Sequence, residues 1–206
     1  LSFRLSLDSR DGKTSREPLA ELPGQELADV DWETAATADG AGVAFTRRLP
    51  RGLTVVKEYR LAAPADGQPG YRLELVVRLS AADAPTVVTY ALDGPTGLPT
   101  EGWWYAQRVG RSMWSSLAVR DVAMRFAGEQ SSLVSGLKIA DGKLDHPASS
   151  VREGKPLSFA GVDALYFASA LIPSTTDEVP DLAEVRPIAV GDVEKPARKK
   201  LVDVTA

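Results

Sequence analysis

The chain has 206 residues, no cysteine, one histidine, a formal charge of -4, and 44% hydrophobic and 25% charged residues. This composition excludes disulfides, thiolate chemistry, cysteine metal sites and any scheme that needs two imidazoles. The missing basic surplus argues against nucleic acid as a partner, and no stretch approaches the roughly 18 uninterrupted apolar residues of a membrane span.

All-β chains of roughly 200–250 residues commonly form one unit, and one of this size buries on the order of 70% of its unfolded surface without a metal or disulfide. The expectation is a single domain over residues 1–206, cut at both ends from a larger protein. The chain begins at Leu1 without Met and stops at Val204-Thr205-Ala206 inside a strand-like run.

In chain order, β-rich runs predict strands at Phe3 to Leu7, Val30 to Thr34 and Val43 to Leu49. In "LTVVKEYRLA" the residues Leu53, Val55, Tyr59 and Leu61 fall on one face. In "YRLELVVRLS" Tyr71, Leu73, Leu75, Val77 and Leu79 oppose Arg72, Glu74 and Arg78. With "APADGQPG" between them, the two runs read as a hairpin. Further strands are expected at Thr86 to Leu92, Leu133 to Ile139 and Val185 to Val190, with little helix.

Two runs are ambiguous. "MWSSLAVRDVAMRF" is read as loop followed by strand, and "VDALYFASALIP", apolar on both faces and stopped by Pro173, as a central strand. Asp-Gly pairs at Asp11-Gly12, Asp39-Gly40, Asp66-Gly67, Asp93-Gly94 and Asp141-Gly142 suit the positive φ of tight turns and punctuate an antiparallel sheet. The basic run "EKPARKK" near the end reads as a solvated tether, with contact to an anionic surface as the alternative.

His146 precedes Pro147 in a predicted loop and has no second histidine to work with. No Gly-x-Ser-x-Gly elbow, phosphate-cradling loop or dinucleotide turn is present. Asp29 and Asp31 lack the continuation of a calcium loop. Glu58, Glu74, Glu101 and Asp163 could supply the two acids of a glycosidase, but their spacing is not diagnostic and surface charge is the simpler account. No catalytic residue, cofactor or metal site is assigned.

The segment "PTEGWWYAQR" is the most suggestive local feature. Trp103, Trp104 and Tyr105 lie beside Glu101 and Arg108, which together are the materials of a sugar-stacking or peptide-binding surface. Adjacent strand residues face opposite sides, so at least one of the two tryptophans is expected in the core.

"GVAFTRRLPRGLTVVKEYRL", then "YRLELVVRLS", then "FAGVDALYFASALIP" resemble, in that order, the large periplasmic domain of YidC-type membrane protein insertases. The resemblance covers residues 43 to 173. It rests on Lys57-Glu58-Tyr59 in the first strand and on Tyr166, Phe167, Ala170, Ile172 and Pro173 in the aromatic run. Phe159 stands where members of that family often have Trp, and the "GPTGLPTEGWWYAQR" loop is not universal among them.

The resemblance implies an antiparallel β-supersandwich of galactose-mutarotase-like architecture, on the periplasmic side of the bacterial inner membrane. It also implies a noncatalytic role beside the insertase core of the same chain, with Sec translocon components and nascent membrane proteins as partners. The competing expectation, from architecture and aromatics, is a carbohydrate-binding or sugar-modifying domain.

Overall fold

A computed structural model describes residues 3, 5–8, 27, 30–50, 52–62, 72–82, 89–98, 120–143, 148–149, 155–164, 167–174, 182, 184–191 and 203–206. It is mostly β, with antiparallel sheets and one short helix among the described residues. The chain divides into two compact units, Leu5–Leu92 and Leu1–Arg4 with Asp93–Ala206.

In the Leu5–Leu92 unit, strands β2 (Glu33–Ala36), β3 (Gly42–Arg48), β4 (Leu53–Leu61) and β5 (Leu73–Ala81) form one antiparallel sheet in that order. Strand β1 (Leu5–Asp8) pairs with β6 (Thr89–Leu92). The expected hairpin is present, with Tyr59 opposite Leu75 and Leu53 opposite Ala81.

The predicted apolar face is covered at one end only. Leu53 and Val55 are buried with Leu5, Leu27 and Leu49, against Trp32, Val77, Leu79, Tyr90 and Leu92. At the other end Leu61 is 75% exposed and Leu73 44% exposed. Burial of side chains the size of Leu53 and Val55 contributes roughly 1.5–3 kcal/mol each.

Asp39-Gly40 forms the expected turn between β2 and β3. Gly40 has φ 68°, Gly40 N–H donates to Thr37 O at 2.8 Å, and the Thr37 N–H donates to Gly42 O at 3.0 Å. Strand β2 begins at Glu33, later than the predicted Val30, and just before it Trp32 Nε1 donates to Leu27 O at 3.2 Å.

In the other unit, β7 (Asp121–Phe126), β8 (Ser132–Val134), β10 (Leu157–Ala164) and β11 (Phe167–Leu171) form a sheet in the order β11-β10-β7-β8. Short pairs join β9 (Ala148–Ser149) to β12 (Glu184–Val185) and β13 (Ile188–Val190) to β14 (Asp203–Thr205). Val122, Met124, Phe126, Leu157, Ala160, Val162, Val185, Val204 and Ile139 make its core.

Five expectations are corrected here. The run Leu133 to Ile139 is not one strand. It divides into β8 and a helix α1 (Gly136–Ala140), because Ser135 caps the start by accepting from Leu137 N–H at 3.3 Å. Asp141-Gly142 is accordingly a helix end and not a hairpin turn. Gly142 has φ 65°, with Gly142 N–H donating to Ile139 O and Lys143 N–H to Lys138 O, each at 3.1 Å, the Schellman arrangement.

"VDALYFASALIP" is two strands. Strand β10 stops at Ala164 and β11 starts at Phe167, paired directly with it, so the run folds back on itself and places β11 at the edge of the sheet among the described residues. The segment Val185 to Val190 is split at Pro187, which has no N–H for a ladder, into β12 and β13 with different partners. Asp93-Gly94 is no tight turn either. Gly94 is buried and donates to Ala206 O at 2.8 Å, and a Cβ there would lie 2.6 Å from that oxygen.

Asp11-Gly12, Asp66-Gly67, Met113 to Val119 and the "EKPARKK" run lie outside the described residues.

Candidate functional site

Glu101, Trp103, Trp104, Tyr105 and Arg108, the residues singled out for binding, lie outside the described residues, as do Asp29 and His146. The described residues on either side of that segment are tied together. Arg120 donates from Nε to Leu98 O at 2.9 Å and from Nη2 to the same oxygen, and its Nη1 lies 3.3 Å from Asp203 Oδ1. Asp203 Oδ2 in turn accepts from Gly97 N–H at 2.8 Å. Arg120 and Asp203 carry no sequence signal, since only the pairing of remote segments gives them a shared role.

The densest described cluster of charge sits on β4 and β5. Alternation places Thr54, Val56, Glu58 and Arg60 on one face of β4, with Val76 of β5 opposite Glu58 and Arg78 opposite Val56. Glu58 is 8% exposed and both of its carboxylate oxygens are taken: Oε1 accepts from Arg60 Nε at 2.5 Å and Oε2 from Arg78 Nη1 at 2.7 Å. Arg60 also donates from Nη1 to Asp39 Oδ2 at 2.5 Å. Asp39 Oδ1 accepts from Thr37 Oγ1 at 2.6 Å and from Ala41 N–H at 3.1 Å.

Gly42 makes this reach possible. It stands opposite Arg60 across β3 and β4, and a Cβ on it would fall 2.7 Å from Arg60 Cγ. Without that Cβ, the Arg60 stem lies over the strand and its guanidinium meets the turn at Asp39.

Hydrogen bonds from Arg78 and then Arg60 hold the Glu58 carboxyl below its ordinary value, against the opposing effect of burial. Asp39 is held low first by Thr37, then by the Ala41 amide, with Arg60 adding to it. A general acid or base near neutral pH requires a carboxyl shifted the other way, and one with a free oxygen. The geometry of Glu58 is that of a clamp between strands.

The other acids considered for glycoside chemistry are also engaged or exposed. Glu74 pairs with Arg72 at 2.9 Å, and Asp163 is exposed on β10 opposite Asp121, whose Oδ1 accepts from Gly136 N–H at 3.0 Å. Asp31 is exposed, and its backbone oxygen accepts from Arg47 Nη1 at 3.2 Å. Among the described residues no group of three His, Cys, Asp or Glu could hold a metal ion, and no helix is long and apolar enough to cross a membrane.

The opposite face of the same sheet is aromatic. Phe45 and Tyr59 meet edge to face with centroids 5.7 Å apart, and Lys57 Nζ lies 4.8 Å from the centre of the Trp32 ring. Burial lowers the Lys57 pKa and raises that of Tyr59. From this cluster the face runs outward through Val43, 39% exposed, to Leu61 and Leu73. A half-covered apolar surface beside a cation is suited to contact with another apolar body.

No protein-family model, no curated protein and no solved structure matches this chain.

Proposed function

We propose that this chain is a noncatalytic, extracytoplasmic domain of a YidC-type membrane protein insertase, a β-supersandwich held on the periplasmic side of the bacterial inner membrane. Its role is to dock, placing the membrane-embedded insertase core of the same chain beside Sec translocon components or nascent membrane proteins. The observation that carries the reading is the ordered likeness of "GVAFTRRLPRGLTVVKEYRL", "YRLELVVRLS" and "FAGVDALYFASALIP" to that family's periplasmic domain.

Two features of the described residues support a docking role. The Lys57-Glu58-Tyr59 strand carries its acid in a double arginine clamp, which removes it from proton transfer. The other side of that strand leads to exposed Leu61 and Leu73, an apolar end of the sheet available for contact.

The test is photocrosslinking in intact cells, with a photoreactive amino acid placed at Leu61 or Leu73 of the full-length protein. Adducts with translocon subunits or nascent membrane proteins are expected. Capture of neither, from these and from other exposed sites on the domain, would remove the docking role.

The sugar-binding reading draws on Trp103, Trp104 and Tyr105 in sequence. Calorimetry against diverse glycans is expected to give no heat. Binding that is lost in Trp103→Ala and Trp104→Ala would reinstate the sugar reading.

A further inference from the structure

Among the described residues strand β5 is the edge of its sheet, with β4 on its one paired side. It is nine residues long, and Leu73 and Val76 are 44% and 39% exposed. A long edge with unpaired backbone groups is a template for strand addition, and the strand's own side chains decide what fits.

The hydrogen-bonding phase of the edge follows from its inner neighbour. Ala62 N–H donates to Arg72 O and Ala82 N–H donates to Gly52 O, both at 3.0 Å. In an antiparallel ladder the N–H and C=O of one residue point the same way and alternate along the strand. The even-numbered residues of β5 therefore bond to β4, and Leu73, Leu75, Val77 and Leu79 direct their backbone groups outward.

A second β5 running antiparallel must pair these odd residues with one another, which leaves few registers. Centring on Leu75 sets Arg72 against Arg78, and centring on Val77 sets Val76 against Arg78 and Glu74 against Ser80. Centring on Val76 sets Glu74 opposite Arg78 twice, and Leu73 opposite Leu79 and Leu75 opposite Val77 on the apolar face. Opposite charges directly across a ladder are stabilising and like charges destabilising. Glu74 is 48% exposed and Arg78 57% exposed at the side chain, and Arg78 gives one nitrogen to Glu58 and keeps other donors for a partner.

We infer that β5 is a self-association edge: two copies of this chain join through antiparallel β5 strands centred on Val76, merging two four-stranded sheets into one. The pairing continues the apolar face across the two-fold axis and covers Leu73 with Leu79 of the second copy. It does not depend on the insertase reading, since it uses only the phase and the side chains of one strand.

The absence of cysteine makes the test clean. At the axis, Val76 faces Val76 as a non-hydrogen-bonded pair with Cα atoms about 4.5 Å apart, within disulfide range. Under copper–phenanthroline oxidation, Val76→Cys is expected to become a disulfide-linked dimer while Val77→Cys stays monomeric. Glu74→Cys mixed with Arg78→Cys is expected to crosslink, although neither does so alone.

Sedimentation of the unsubstituted chain is expected to show reversible dimerisation. Glu74→Arg, which places like charges opposite each other twice, is expected to weaken the dimer roughly tenfold. A monomer at every concentration with no Val76→Cys disulfide would overturn the proposal. Preferential crosslinking of Val77→Cys would overturn the register.

Discussion

In the β4–β5 hairpin the two faces differ: one carries Glu58 clamped by Arg60 and Arg78, and the other buries Leu53 and Val55 before opening at Leu61. In the β10–β11 hairpin, β10 lies between β7 and β11, with Ala160, Val162 and Ala164 buried on one face and Gly161 buried on the other, where Asp163 is exposed. The first hairpin is held by a stripe of core on one side and ion pairs on the other. The second depends on fit, because Gly161 faces Ala170 so closely that a Cβ would sit 2.5 Å from the Ala170 Cα. Damage to the first is therefore graded by position along the strand, and damage to the second is set by a single contact.

The largest effect is expected at the covered end of β4. Leu53→Ala removes a side chain that is 3% exposed and should cost about 3 kcal/mol, read as faster amide exchange throughout the Leu5–Leu92 unit. Next is Gly161→Ala, which forces the backbones of β10 and β11 apart and should cost about 2 kcal/mol, with exchange protection lost along those two strands. If Gly161→Ala left protection unchanged, the account of that hairpin as limited by fit would be wrong.

Acid should separate the two hairpins. Glu58 and Asp39 have folded pKa values below their ordinary ones, so their contribution to stability is complete above the unfolded carboxylate range of about 4. It is lost as pH falls from there through the folded values. The urea midpoint of the Leu5–Leu92 unit should drop over that interval, and Glu58→Gln should flatten the drop. An acid limb unaltered in Glu58→Gln would show that the clamp contributes nothing. The smallest effect is expected at the open end: Leu61→Ala, at 75% exposure, should change stability by no more than about 0.5 kcal/mol in the same urea titration.

The same contrast explains what the sequence made legible. Strand β5 alternates because one face meets the core and the other meets water, and its pairing with β4 follows from that period. From Val162 to Ile172 the run is apolar on both sides of any strand period apart from Asp163 and Ser169, so it reads as one continuous strand and carries no signal for the fold-back of β11 onto β10. The helix α1 had visible punctuation in Ser135 and Gly142, but its apolar residues also fit a strand period. At the candidate site, Arg60 stands two residues from Glu58, but Arg78 is 20 residues from Glu58 and Asp39 is 21 from Arg60. Gly42 and Asp39 contribute through their positions opposite and beside Arg60, which only the strand register reveals.

The insertase reading is tested most directly by the fate of the full-length protein in membranes. Carbonate extraction of cells expressing the complete reading frame should leave it in the membrane pellet, with this domain protected from cytoplasmic protease and cleaved from the periplasmic side. A product released by carbonate into the soluble fraction would contradict the assignment and return the Trp103-Trp104-Tyr105 segment to first place as the functional surface.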